Sequence, residues 1–279
     1  MIIDPRILQQ IISNIEHIGA SPSISLNLLR KIASSNYSAG ELVDIIAQDP
    51  TITAQILKIA NSVQFAQSEP AKTIKQAVIV LGSSNIKSIL FSIEMLGIFR
   101  GQGSSKKFNE VDFWRHSVAG AIVASRYAKF DLATTDTDIV YVAALIRNIG
   151  VLALRQFVPW EFEAILGRME HEKVTFAKAS QILIGKTHRD IAYMIGSHWN
   201  LPQTILDALN PELDTLRTLA TEPAEIKKAM LYADDLLQVT KFCVWDPYYE
   251  IENIDFHDLP CELIYQEAVS LVDKMFDVG

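Results

Sequence analysis

Cysteine is nearly absent. The 279 residues contain two, Cys243 and Cys261. So few cannot staple a fold, and a lone pair reads as two reduced thiols, with a disulfide between them left open. Long apolar runs are missing too. The longest, "IVYVAALI" and "AVIVL", fall well short of the ~20 residues that span a bilayer. The N-terminal "MIIDPRILQQIISNIEHIG" has no cationic start and no clean apolar stretch, so it does not read as a signal peptide. Basic charge is in deficit: the formal net charge is −8. That makes nucleic acid an unfavourable partner by bulk electrostatics. Glycine and proline are sparse, at 12 and 10 residues. The chain has no Gly-rich phosphate loop, no G-x-S-x-G elbow and no cysteine pair at metal spacing, which removes the commonest signatures of phosphate-loop, serine-hydrolase and zinc-thiolate chemistry.

What is present is helix. Apolar residues make up 49% and charged residues 21%, the balance of a folded chain with a sizeable core. In "NYSAGELVDIIAQDP", Ser38 and Glu41 form a capping box before the stripe Leu42, Ile45 and Ile46. Asp49 and Pro50 suit the cap and first position of the next helix. Thr73 and Gln76 form a second capping box, stopped by Gly82. Asp112 and Asp136 are read as caps of the two helices that follow "RGQGSSKK", a Gly/Ser-rich break. Further helices are expected over 160–173, 175–184, 187–199, 202–209, 223–239 and 258–276. No strand alternation appears. The expected fold is all-α: an N-terminal helical lobe over 1–105, a helical bundle over 106–240 and an extension over 241–279.

Several polar residues lie on faces that should be buried. "YVAALIRNIGVLAL", from Tyr141 to Leu154, is apolar on every side except at Arg147 and Asn148. A cation and an amide inside a core are costly unless something meets them there. His116 falls within an apolar stripe of its helix, and His188 aligns with Ala192, Ile195 and Trp199. Alone, an inward histidine is more often a hydrogen-bonded core residue than a ligand. Of Asp234 and Asp235 in "KAMLYADDLLQ", one is expected to face partly inward and the other to be a solvated charge.

These segments carry a resemblance. "LVDIIAQDPTITAQILKIANS" followed by "TIKQAVIVLGSSNIKSILF" resembles the N-terminal signature of the HDOD domain, an HD-related output domain of bacterial signalling proteins. "FWRHSVAGAIVASRYA", "VAALIRNIGVLAL", "GKTHRDIAYMIGSHWNLPQTILDAL" and "MLYADDL" follow in the family's order. HDOD domains are similar to HD-superfamily phosphohydrolases, which hold divalent metals with histidines, an adjacent His-Asp pair and a final Asp. Imidazoles and carboxylates suit such a cation, which activates water against phosphate. By this resemblance His116 matches the first histidine, Arg147 and Asn148 the His-Asp pair, His188 a further histidine and Asp234 the final Asp. Asn210 and Pro211 fall where a His-His step often stands.

The adjacent pair is therefore substituted. Arginine is itself a cation and does not deprotonate, and Asn148 keeps the size of Asp without its charge. Arg147 is expected to reach into the degenerate site, pair with Asp234 and partly replace the metal's charge. The resemblance then implies a non-catalytic, cytoplasmic, bacterial signalling module, a pseudoenzyme with no catalytic residues, no cofactor and no resident metal, receiving its input from a partner chain. Two alternatives stand beside it. One is a metal-dependent phosphohydrolase with a reduced site of His116, His188 and Asp234. The other is a sensor of a small anionic ligand held by Arg147, His116 and His188. Elsewhere, Arg100, Lys106 and Lys107 form a small basic loop read as solvated linker. Trp245, Tyr248, Tyr249 and Phe256 form either a partner surface or packing for the last helix. His171, His198 and His257 receive no role.

Overall fold

The computed structural model describes residues 5–17, 38–47, 50–61, 70–82, 85–87, 89–90, 92–93, 105–131, 136–211, 221–251 and 261–276. Asp49, Arg100, Phe256 and His257 lie outside them. Among the described residues there are helices and no strands, as the sequence predicts. In chain order the helices are α1 Pro5–His17, α2 Ala39–Ala47, α3 Pro50–Ala60, α4 Ile74–Leu81, α5 Glu110–Asp131, α6 Thr137–Ile146 and α7 Ile149–Phe157. They continue with α8 Pro159–Glu172, α9 Phe176–Ile184, α10 His188–His198, α11 Gln203–Leu209, α12 Glu222–Val239 and α13 Cys261–Phe276.

α5 is the hub. It packs against α6, α12 and α13, while α2, α3 and α4 pack on one another and α1 lies against α7 and α10. α5 can take this place because it is apolar on two faces: Phe113, Trp114, Val118, Ala121, Val123, Ala124 and Ala128 are all buried. Small residues let its neighbours approach. A Cβ at Gly120 would stand 2.5 Å from Arg147 Nη2, so only glycine leaves room for that guanidinium. A Cβ at Gly150 would collide with the His188 carbonyl, so α7 and α10 meet backbone to backbone there.

The caps show where local chemistry fixes the chain. Glu41 N donates to Ser38 Oγ at 3.3 Å and Ser38 N donates to Glu41 Oε2 at 2.7 Å, a reciprocal box at the start of α2. Thr73 and Gln76 do the same for α4, and Asp136 Oδ1 accepts from Asp138 N at 2.9 Å in α6. One expected cap moves. α5 is capped by Asn109, whose Oδ1 accepts from Val111 N at 3.0 Å and Asp112 N at 3.2 Å. Asp112 lies one turn inside, where its carboxylate takes the Asn109 amide at 2.6 Å. Asn109 already satisfies the orphan donors, so Asp112 is free to add its charge to the helix start.

The stretch from Tyr141 to Leu154 is buried throughout. Its helix breaks at Arg147 and Asn148, between α6 and α7. Taken across that break, Thr137–Phe157 is 21 residues, long and apolar enough to cross a membrane by length and composition. That corrects the expectation from uninterrupted runs alone. Packing explains the composition: 83% of the apolar window is buried inside the protein.

Candidate functional site

The break between α6 and α7 places a buried cation behind a cavity. Arg147 caps the end of α6 as the first residue of the turn and is only 3% exposed. Its Nε donates to both Asp234 oxygens, at 3.1 and 3.3 Å, and its Nη2 also bonds Asp234 Oδ1. Nη1 bonds the Ala144 carbonyl, one turn back in α6. Asp234 comes from the middle of α12 and is 8% exposed. His116, from α5, brings Nε2 to 3.7 Å from Asp234 Oδ1. Three helices thus deliver one guanidinium, one carboxylate and one imidazole to a single point.

Electrostatics follow from that contact. Burial is the largest single influence on the Asp234 carboxyl and pushes its pKa up. The Arg147 guanidinium, with His116 adding to it, outweighs burial and holds the carboxyl below the usual carboxylate range. His188, at the first position of α10, feels the opposite balance. Burial and then the Arg189 guanidinium push its imidazole down to about 3, so it is neutral at physiological pH. Nδ1 of His116 and Nδ1 of His188 are buried without a hydrogen-bond partner among the described residues.

A cavity of about 320 Å³ opens in front of this cluster, lined by His116, Asn148, His188, Arg189, Asp234, Trp245 and Asp246 among others. Arg147 is not part of its wall. It sits behind Asp234 and borders a separate void of about 30 Å³, shared with Arg189, Pro211, Lys227 and Asp234. The expected pairing of Arg147 with Asp234 is present, but the guanidinium does not line the larger cavity as expected; Arg189 is the arginine on its wall. Arg189 escapes sequence reasoning because it lies beside, not on, the positions that the resemblance marks. Its only ion-pair contact among the described residues is Asp234 Oδ2 at 4.0 Å.

The remaining expectations sort by burial. Asn148 is 3% exposed, caps α7 without a side-chain bond and lines the cavity. Pro211 borders both cavities, and the Asn210 carbonyl accepts from the buried Lys227 at 2.6 Å. Asp235 is fully buried, not solvated; the Tyr249 hydroxyl donates to its Oδ1 at 3.0 Å. Burial, followed by Asp234 and Asp235, pushes the Tyr249 phenol upward.

The aromatic extension closes the cavity. Trp245 meets His188, Phe113 and Phe176 edge-on, with ring centroids 5.6, 5.4 and 5.7 Å apart, and His116 at 6.5 Å. Asp246 follows it inward. Its carboxylate accepts from Phe176 N at 2.8 Å and Tyr248 N at 3.2 Å, while burial raises its pKa to about 6. Phe242 contacts Tyr265 of α13, with centroids 6.1 Å apart. Tyr248 pairs with Lys173 outside the cavity, at 3.1 Å. Cys243 is a free thiol. Lys107 bonds Glu170 at 2.6 Å, and Lys106, His171 and His198 are exposed.

Among the described residues, no three His, Cys, Asp or Glu side chains are grouped to hold a metal. The carboxylate that would anchor one is already bonded to a guanidinium, and Lys227 adds a further buried cation at the edge of the small void.

Comparison with known proteins gives the family and the fold. The HDOD domain family matches residues 18–212. An uncharacterized protein of Treponema pallidum (strain Nichols) is 21% identical over 207 residues, which cover 73% of this chain and 39% of that protein's length. An HDOD domain protein of unknown function from Geobacter sulfurreducens shares the fold with a TM-score of 0.75 at 21% identity, covering 97% of this chain and 98% of its own. A candidate signal transduction protein from Marinobacter aquaeolei VT8 gives 0.75 at 18% identity, covering 98% of this chain and 64% of that one. A candidate phosphohydrolase from Shewanella amazonensis SB2B gives 0.66 at 15%, covering 96% and 97%. At these identities the likeness is one of fold. With the family match spanning well over half of its length, the chain belongs to the HDOD family.

Proposed function

We propose that this chain is a non-catalytic signal-transduction module of the bacterial cytoplasm, built on a phosphohydrolase-like scaffold whose metal site has been taken over by a salt bridge. One observation carries the reading. Arg147 stands where the HD resemblance puts a metal ligand, and its guanidinium is bonded to Asp234, the residue matching the last ligand. A fixed cation and a divalent metal compete for the same carboxylate. At about 4 Å and an effective dielectric of about 20, their repulsion is on the order of 8 kcal/mol. The reduced set of His116, His188 and Asp234 would have to overcome that with one anionic donor.

The scaffold would then transmit a state and not turn over a substrate. A signalling partner chain supplies or receives that state. The test is turnover of bis(p-nitrophenyl) phosphate with manganese added. Wild type is expected to show no hydrolysis above the buffer rate. Metal-dependent hydrolysis that disappears in Asp234→Asn would sink the reading.

A further inference from the structure

Three helices begin at the wall of the large cavity. Asn148 caps α7, Thr175 and Ala177 open α9, and Thr187, His188 and Arg189 open α10, and all of them line it. Helix N-termini carry unsatisfied N–H groups and partial positive charge. One of the three is answered from within the chain: the Asp246 carboxylate takes the first N–H of α9, at Phe176. The other two are not answered in that way. Asn148 makes no side-chain capping bond at α7. At α10 the capping box of Thr187 and Asp190 takes up only the Asp190 N–H of the first turn.

Side chains point the same way. His188 and Asn148 are 4% and 3% exposed and line the cavity; His188 Nδ1 has no hydrogen-bond partner among the described residues, and Asn148 makes no side-chain capping bond. Buried polar groups are normally paired, and leaving them unpaired is costly. Arg189 adds a guanidinium whose nearest carboxylate, 4.0 Å away, is already bonded to Arg147. The acids on the wall do not cancel this set. Asp246 is engaged by two backbone N–H groups, and Glu250 is exposed. Trp245, also on the wall, meets both histidines edge-on. The cavity volume lies at the lower end of the range for small-molecule sites.

We propose that this cavity binds a small organic anion. Its carboxylate or phosphate group is held by Arg189, Asn148 and the first turn of α10, and its flat body lies against Trp245. The ligand would be the input to the signalling module, so this inference rests on the reading that no metal fills the site.

Isothermal titration of the full chain with benzoate and with phenyl phosphate tests it, with benzyl alcohol and inorganic phosphate as controls. One of the two aromatic anions is expected to bind saturably, one per chain, and benzyl alcohol is not. Which anion binds identifies a carboxylate or a phosphate ester as the source. Arg189→Gln should weaken binding by roughly tenfold or more. Arg189→Lys, which keeps the charge, should retain part of it, and Lys107→Gln on the separate basic loop should change nothing. No saturable binding of either anion overturns the proposal, and so does equal binding by Arg189→Gln. Inorganic phosphate binding as tightly as phenyl phosphate overturns the organic body. Manganese retained by wild type would instead strike the preceding reading, so the two failures are distinguishable.

Discussion

Replacing Arg147 with Met isolates the buried salt bridge. The substitution keeps an apolar stem of similar length and removes the guanidinium. Asp234 would then be a buried carboxylate, 8% exposed, with His116 Nε2 at 3.7 Å as its nearest remaining partner. At a separation of about 3 Å and an effective dielectric of about 20, the lost attraction is about 5 kcal/mol. Removing one partner of a buried pair costs about 3–5 kcal/mol, and the two figures agree. Urea denaturation at pH 7 measures the difference. The sign of its pH dependence is a second reading. In wild type the folded-state Asp234 carboxyl lies below its unfolded value of 3.8. Its contribution is therefore present above that pH and lost as pH falls through the folded value. Without Arg147, only His116 and the more distant Arg189 still oppose burial, which raises the folded value, so the contribution changes sign. The variant should be most destabilised at neutral pH and recover relative to wild type as pH approaches about 4. Arg147→Met with Asp234→Leu should restore most of the loss, because an apolar pair of similar volume can replace a buried ion pair. A cost below about 1 kcal/mol, as for an exposed ion pair, would refute the reasoning.

Other outcomes follow from the same contacts. Gly120→Ala places a Cβ 2.5 Å from Arg147 Nη2 and should cost about 1–3 kcal/mol by overpacking, read as a lower urea midpoint. Gly150→Ala should cost more, because the added carbon meets the His188 backbone and not a side chain that can move. Asp246 has a folded pKa of about 6 against 3.8 unfolded. Its contribution to stability is therefore fully present below about pH 4 and lost as pH rises to about 6. Asp246→Asn should flatten that slope in a pH series of thermal melts.

Periodicity and capping chemistry made the helices legible. Ser38 with Glu41 and Thr73 with Gln76 are reciprocal pairs whose chemistry is local, so spacing alone found them. α5 shows the limit. Asn109 and Asp112 are both good caps three residues apart, and which one ends the chain's entry depends on Phe108 being buried just before them. The inward placement of His116 and His188 is legible as stripes, whereas the pattern beside Asp234 and Asp235 leaves open which faces inward; the family resemblance singles out Asp234. What was not visible is pairing across the fold. The position of Arg147 relative to the cavity depends on where Asp234 stands, 87 residues away. Asp235 is buried because Tyr249 returns over α12 to meet it. Trp245 and Asp246 close the cavity through contacts with α5, α9 and α10 that no local pattern encodes.

The central claim is that a guanidinium holds the place of a metal. Elemental analysis of the purified full chain, grown with iron and manganese and dialysed without chelator, tests it most directly, alongside Arg147→His with Asn148→Asp. Wild type is expected to carry only trace metal and the double variant to gain some. Wild type retaining one equivalent of iron or manganese per chain, lost on Asp234→Asn, would contradict the account.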